Sequence, residues 1–220
     1  MDINSLINNK HIVELIQRYP GLGQSREKVI QLYITIKNCF FNKNFLFCCG
    51  NGGSCSDAEH LVGELAKDFL IKRKIPENLR MELDKKFPED KFTEKLQPGF
   101  HAMTLQGMPS LSTACMNDID PNMVYAQQLF VYGHEGDVLL GFSTSGKAVN
   151  ICNAFKVAKC MGIKTVLLTG DNPEGICRPY ADLVVDVPEK ESHLVQEYHL
   201  PIYHALAIML EEEFYGERHD

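Results

Sequence analysis

Five short apolar runs, separated by segments of helix length, constrain the fold of this chain more than any other feature. Runs that are apolar throughout are typical of strands buried on both faces of a parallel sheet. Their alternation with helical segments predicts helices on both sides of that sheet. We therefore expect an α/β fold, a three-layer doubly wound sandwich with a five-stranded parallel sheet. The predicted strands are FLFCC (45–49), HAMTL (101–105), DVLLGF (137–142), KTVLLTG (164–170) and ADLVVDV (181–187).

The segments around these runs carry apolar residues at helical spacing. Residues 1–43 are predicted to form N-terminal helices, because two such sets lie on either side of the turn YPGLG. A chain of 220 residues fits a single domain, 1–220. Further helices are expected at 56–67, at 109–132 in two pieces and at 147–161, with a turn or short helix at 173–179.

Residues 70–98 interrupt this rhythm. The segment is rich in charged residues and contains three prolines, a composition that favours an excursion over the surface. One short helix is expected near 77–86. The excursion is interpreted as a solvated loop, with a lid or a subunit contact as the alternative.

Composition excludes several classes of partner. A net charge of -7 argues against nucleic acid, and no apolar run reaches the length of a membrane span. The N-terminal stretch lacks the apolar core of a secretory signal, so a cytoplasmic location is expected. The eight cysteines show no C-x-x-C pair and are expected to be buried free thiols.

Two glycine-rich turns follow predicted strands. Loops at the carboxyl ends of parallel strands feed helix N-termini, whose free N–H groups attract anions. The first turn, residues 50–54, has Cys55 where a dinucleotide fingerprint needs its next glycine. We therefore expect no nucleotide cofactor at this turn.

The second turn, GFSTSGKA (141–148), nearly spells a nucleotide P-loop. The position after Lys147 must be Ser or Thr to ligate magnesium, but it is Ala148. A hydrolase elbow also fails, because the fifth residue of GFSTS is not glycine. The hydroxyls of Ser143, Thr144 and Ser145 remain as donors for the phosphate of a small ester, and an ordinary capped helix start is the alternative.

Ionisable residues lie at helical spacing in two further segments. His60 and Glu64 are four apart, and Gln196 and His204 lie on one stripe of a predicted C-terminal helix. A buried carboxylate and an imidazole can shuttle a proton between adjacent carbons of a sugar. Glu64 and His204 could partner each other, and the four side chains also suit zinc. An ordinary surface contact remains the alternative for the His60–Glu64 pair.

Four motifs, in this order, resemble the bacterial phosphoheptose isomerases of the sugar isomerase (SIS) domain superfamily. The likeness covers roughly residues 30–69 and 100–215. It implies a flavodoxin-like sheet, a homotetramer with active sites between subunits, and conversion of sedoheptulose 7-phosphate to D-glycero-D-manno-heptose 7-phosphate. The motifs are CGNGGSCSDAEHLVGEL, TACMNDID, GDVLLGFSTSGKAVNICNAFKVAKCMGIKTVLLTG and VQEYHLPIYHALAIMLEE.

The resemblance also implies roles for single residues. It makes Glu64 the general base and His204 the general acid. It implies one zinc ion per subunit, with the ligands His60, Glu64, Gln196 and His204. The predicted substrate-binding residues are Asn51, Gly52, Gly53, Ser54, Asn117, Asp118, Ser143, Thr144, Ser145, Lys147 and Gln196.

Several positions depart from the pattern of the family. Lys147 and Ala148 replace the usual Asn-Ser, Leu194 and Asp68 stand where arginines are usual, and His193 replaces an acidic residue. The sugar therefore stays open, and isomerisation of another ketose or aldose phosphate is an alternative. A further alternative is a non-catalytic function. Some members of the superfamily are adaptors that bind the replication initiator, and others are sugar-phosphate sensors. Retention of both predicted catalytic residues favours an enzyme.

Overall fold

The computed structural model describes residues 3–216, so that residues 1–2 and 217–220 of the predicted domain lie outside the described range. Its centre is one parallel sheet with the strand order β2-β1-β3-β4-β5. The α/β prediction is confirmed, and each strand lies within two residues of its predicted bounds. The strands are β1 (Leu46–Gly50), β2 (Ala102–Thr104), β3 (Val138–Phe142), β4 (Lys164–Gly170) and β5 (Leu183–Val187).

Helices cover both faces of the sheet. Alternate residues of each strand point to opposite sides, so both faces carry apolar side chains that pack against helices. Leu46 and Cys48 of β1 belong to a core with the N-terminal and C-terminal helices. Phe47 and Cys49 belong to a second core beneath α8 and α9. The helices are α1 (Ile3–Leu6), α2 (Lys10–Arg18), α3 (Arg26–Phe41), α4 (Gly53–Ala66), α5 (Glu77–Lys86), α6 (Phe92–Lys95), α7 (Pro109–Asp118), α8 (Val124–Tyr132), α9 (Val149–Cys160) and α10 (Ser192–Tyr215).

The strand order reverses direction at β1, which lies between β2 and β3. Gly50, the last residue of β1, pairs in register with Phe142, the last residue of β3. Both glycine-rich turns therefore begin side by side at the carboxyl edge of the sheet. In doubly wound sheets this switch point is the usual place for a ligand.

The excursion at 70–98 forms two short helices, α5 and α6, neither of which contains a buried residue. The helix α5 thus lies where the sequence predicted one, near 77–86. Arg73 differs from the rest of this segment, because its side chain is 0% exposed. A role of the 70–98 excursion as a lid or a subunit contact stays a prediction.

An ion pair between Arg73 and Glu211 of α10 anchors the base of the excursion. Arg73 Nε donates to Glu211 Oε1 at 2.9 Å, and both side chains are fully buried. Burial by itself raises the pKa of Glu211, but three backbone N–H groups and Arg73 outweigh that effect and lower it. The N–H donors belong to Phe69, Leu70 and Ile71.

Six of the eight cysteines are buried free thiols, as expected, while Cys55 is half-buried and Cys160 is exposed. No helix described between residues 3 and 216 is long and apolar enough to cross a membrane.

Candidate active site

Helices α4 and α10 lie side by side, and both begin at the carboxyl edge of the sheet. Near their first turns, Gln196 packs so closely on Gly53 that a Cβ there would lie 2.6 Å from Gln196 Nε2. A larger residue at position 53 would therefore require the Gln196 side chain to move. About two turns further along, His204 meets His60.

His60 lies between the two predicted catalytic residues. Its Nε2 atom is 3.3 Å from Oε1 of Glu64 and 3.5 Å from Nε2 of His204. The Glu64 side chain is 16% exposed and that of His60 is 43% exposed. The sequence suggested that Glu64 and His204 partner each other directly, but His60 bridges them.

The environment of His204 favours its neutral imidazole. Burial lowers the pKa of His204, and the nearby His60 and Arg18 lower it further, while Glu64 opposes the shift. Glu64 has a second charged neighbour, because Nζ of Lys67 lies 3.4 Å from its Oε2. The cluster thus joins a carboxyl group, through His60, to an imidazole that favours its neutral form, and both groups suit acid–base chemistry.

Two residues that sequence reasoning missed lie behind His60. The Tyr203 hydroxyl, on a side chain buried in the core, is 3.0 Å from Nδ1 of His60. It also lies 3.4 Å from Oδ1 of Asp57, whose Oδ2 is buried with no partner among the described residues. Burial raises the pKa of Asp57 to about 6. Their one signal in the sequence is proximity, since Asp57 precedes His60 by one helical turn and Tyr203 adjoins His204.

An amide pair ties the first glycine-rich turn to the start of α9, the helix that follows the second turn. Asn51 and Asn150 exchange two hydrogen bonds, of 3.0 and 2.9 Å, between their side chains. The Tyr125 hydroxyl donates to the Gly50 carbonyl and lies 3.0 Å from Asn51 Oδ1. Gly52, at φ +57°, adopts a left-handed conformation that suits glycine. Asn51 therefore orients this loop, and Asn150 and Tyr125 are further residues that sequence reasoning missed.

The second turn presents hydroxyls beside the N-terminus of α10. Thr144 Oγ1 lies 3.1 Å from the hydroxyl of Ser192, the first residue of that helix. Ser143 is buried, whereas Ser145 is exposed and accepts from the Lys147 N–H at 3.2 Å. Hydroxyls around free helix N–H groups form a setting for a phosphate. Ser192 was not among the predicted residues.

Comparison with known proteins assigns this geometry to a family. A model of the SIS domain matches residues 92–170. The phosphoheptose isomerase of Burkholderia pseudomallei (strain K96243) is 34% identical over 169 residues, 77% of this chain and 73% of that protein. That of Helicobacter pylori (strain P12) is 32% identical over 212 residues, 96% of this chain and 97% of that protein. The chain belongs to the phosphoheptose isomerase family.

Solved structures of the phosphoheptose isomerase family share the fold. The enzyme from Neisseria gonorrhoeae has a TM-score of 0.71 at 26% identity, covering 92% of this chain and 95% of that one. The enzyme from Francisella tularensis has a TM-score of 0.71 at 25% identity, covering 96% of this chain and all of that one.

The structure does not gather every residue that the family resemblance suggested. Nζ of Lys147 lies 3.7 Å from Glu174, and both side chains are at least half exposed. Asn117 and Asp118 are exposed and bond to each other at 2.7 Å. Within residues 3–216, no hydrogen bond joins that pair to the two glycine-rich turns. Ser54 is buried under the first turn.

The donor atoms of the predicted zinc ligands suit a metal in type, and two of the distances between them suit one in length. Ligand atoms bound tetrahedrally at zinc distances lie about 3.3 Å apart, close to the two distances around His60. The fourth predicted ligand, Gln196, packs on Gly53 instead. As they stand, no three His, Cys, Asp or Glu side chains in the described part of the chain form a group that could hold a metal.

Proposed function

We propose that this protein is an aldose–ketose isomerase that interconverts sedoheptulose 7-phosphate and D-glycero-D-manno-heptose 7-phosphate. The observation that carries the proposal is the cluster of Glu64, His60 and His204, joined from two helices in a member of the phosphoheptose isomerase family. A non-catalytic adaptor would have no use for a carboxylate and a neutral imidazole at one site.

The site has two parts, which would bind the two ends of the substrate. The hydroxyls of Thr144 and Ser192 lie at the N-terminus of α10 and would bind the phosphate. His60 lies seven residues beyond Gly53, roughly 10 Å along the helix. That separation suits an open-chain sugar whose phosphate and carbonyl lie at opposite ends.

In the proposed reaction a proton moves between the first two carbons of the sugar. Glu64 removes the proton from C1, the carbon next to the ketone, while His204 donates a proton to the ketone oxygen on C2. The resulting enediol loses the proton of its C1 hydroxyl to His204, and Glu64 returns its proton to C2. The products are the aldose and the starting states of both residues.

We also propose that His60, Glu64, Gln196 and His204 hold zinc, which would polarise the carbonyl. Support comes from the donor types and the spacing around His60. Side-chain rotation must bring Gln196 to the cluster. Calorimetric titration of the metal-free protein with zinc tests this, and a stoichiometry below one per subunit would reject it.

The homotetramer with sites between subunits is likewise our proposal. Three consecutive residues of α8, Phe130, Val131 and Tyr132, are exposed and would be covered by another subunit. Light scattering measures the mass directly, and a monomer would reject the tetramer. A reducing compartment such as the cytoplasm suits the free thiols.

A different sugar phosphate is the second candidate. It is favoured by Ala148, which offers no hydroxyl, and by Lys147, which lies near Glu174. The test is kcat/KM for ketose phosphates of five, six and seven carbons. We expect the highest kcat/KM for the seven-carbon substrate. A higher value for another chain length would favour the second candidate.

A further inference from the structure

Beyond the residues that meet the substrate, the hydrogen bonds behind His60 form a directed chain. The Tyr203 hydroxyl lies between Oδ1 of Asp57, at 3.4 Å, and Nδ1 of His60, at 3.0 Å. A hydroxyl has a single proton to donate. It therefore donates either to Asp57 or to His60, and the choice determines which nitrogen of His60 carries hydrogen.

One choice leaves the half-buried Asp57 carboxylate without a donor. If Tyr203 donates to Nδ1 of His60, then Nε2 carries hydrogen and donates to Glu64, at 3.3 Å. Asp57 then has no donor at Oδ1, and its Oδ2 already lacks a partner among residues 3–216. Burying an unpaired carboxylate is costly.

The other choice gives Asp57 a donor at Oδ1, and Glu64 keeps Lys67, whose Nζ lies 3.4 Å from its Oε2. Tyr203 donates to Asp57, and its oxygen accepts from the Nδ1–H of His60. The lone pair of Nε2 then accepts from the Nε2–H of His204, 3.5 Å away, on the side of the ring that faces Glu64. That lone pair is the form of imidazole that can accept a proton or bind a metal.

We propose that Asp57 and Tyr203 are positioning residues that hold His60 as its Nδ1–H tautomer, with the Nε2 lone pair facing Glu64 and His204. The inference rests on the proposed function only for the roles of Glu64 and His204. Its test is made without substrate, so its failure is distinguishable from failure of the isomerase assignment.

The experiment is a two-bond ¹H–¹⁵N correlation spectrum of metal-free protein labelled with ¹⁵N-histidine at pH 8. The His60 signals are assigned by their loss in His60→Gln. We expect pyrrole-like nitrogen at Nδ1 and pyridine-like nitrogen at Nε2 in the wild type. In Tyr203→Phe the Nδ1–H of His60 loses its acceptor. The hydrogen therefore moves to Nε2 of His60, where Glu64 accepts it.

Asp57→Asn is the second variant. Its amide can donate to the Tyr203 oxygen, which frees the hydroxyl proton for His60 and shifts the tautomer in the same direction. Both variants should also weaken zinc binding by roughly 10- to 100-fold, as loss of a partner behind a metal ligand does.

Tyr33→Phe is the matched control. Tyr33 is 2% exposed, and its hydroxyl lies 3.3 Å from Glu213, away from the cluster. This variant also removes a buried hydroxyl next to a carboxylate, yet it should leave the His60 spectrum unchanged. An Nε2–H tautomer in the wild type, or an unchanged tautomer in both Tyr203→Phe and Asp57→Asn, would overturn the proposal.

Discussion

Nε2 of His204, on α10, lies 3.5 Å from Nε2 of His60, on α4, although 144 positions separate the two residues in the chain. Two imidazoles in this arrangement disfavour a positive charge on each other, which contributes to the lowered pKa of His204 after burial. His204 is therefore biased toward its neutral imidazole in the resting protein.

Replacement of the imidazole of His204 tests its role as the acid. His204→Gln should lower kcat for sedoheptulose 7-phosphate by roughly 10²- to 10⁴-fold, the usual contribution of a positioned general acid. KM should change little, because the phosphate is bound two helical turns away. His134→Gln, at an exposed histidine before β3, is the control and should be fully active. Equal activity of the two variants would exclude His204 from the chemistry.

The hydroxyl of Ser192 should contribute to phosphate binding. Ser192→Ala removes the group 3.1 Å from Thr144, and a hydrogen bond to a charged group is worth about 1.5 kcal/mol, or about tenfold in affinity. KM should therefore rise about tenfold, as should the inhibition constant of inorganic phosphate, with kcat unchanged. Ser110→Ala, at an exposed serine of α7, should change neither. A KM unaffected by Ser192→Ala would place the phosphate elsewhere.

The buried ion pair should matter for stability. Arg73→Met leaves Glu211 charged and buried without its guanidinium, so the free energy of unfolding should fall by about 3–5 kcal/mol. Arg80→Met is the control, because Arg80 pairs with Glu77 on the surface of α5, where both side chains are more than half exposed. Its effect should stay below about 1 kcal/mol. Urea unfolding of both variants measures the difference, and similar losses would contradict a structural role for the Arg73–Glu211 pair.

The sequence predicted the elements of the sheet more fully than the contacts of the site. Strands such as β3 are buried along their whole length, so their apolar runs mark them directly. The bond between Tyr203 and His60 joins residues 143 positions apart, and no local pattern records it. Gln196 lies on Gly53 rather than beside His60, because eight helical residues rise about 12 Å.

Arg73 shows a second reason for the gaps. A charged, proline-containing segment favours solvent, and most of the 70–98 excursion follows that rule. Arg73 departs from it because the backbone carbonyls of Leu65 and Pro98 and the carboxylate of Glu211 compensate its burial together. These partners come from three separate parts of the chain, so only the fold brings them to one place.

Acid should weaken the fold through His199. This residue of α10 is 0% exposed, and burial lowers its pKa to about 3, with the Thr169 backbone offsetting part of the shift. The unfolded imidazole titrates near 6.5. Between pH 6.5 and about 3 the unfolded chain thus binds a proton that the folded chain does not, so the stability present above pH 6.5 is lost as the pH falls.

His199→Leu removes this linkage. Between pH 6.5 and 5 the wild type should lose about 2 kcal/mol more stability than the variant, because one pKa unit corresponds to about 1.4 kcal/mol. Urea unfolding at both pH values gives the comparison. Parallel pH dependence in the two proteins would show that His199 is not buried as a neutral group.

The central claim is that Glu64 moves a proton between two carbons of a sugar phosphate, and hydrogen exchange measures this directly. Wild-type protein and Glu64→Gln are incubated with sedoheptulose 7-phosphate in D₂O, and NMR follows deuterium at C1 and the appearance of the aldose. The wild type should show both, whereas Glu64→Gln should show neither while still being stabilised against heat by the sugar phosphate. Exchange at C1 that persists in Glu64→Gln, or a wild type that leaves the sugar unchanged with zinc present, would contradict the account.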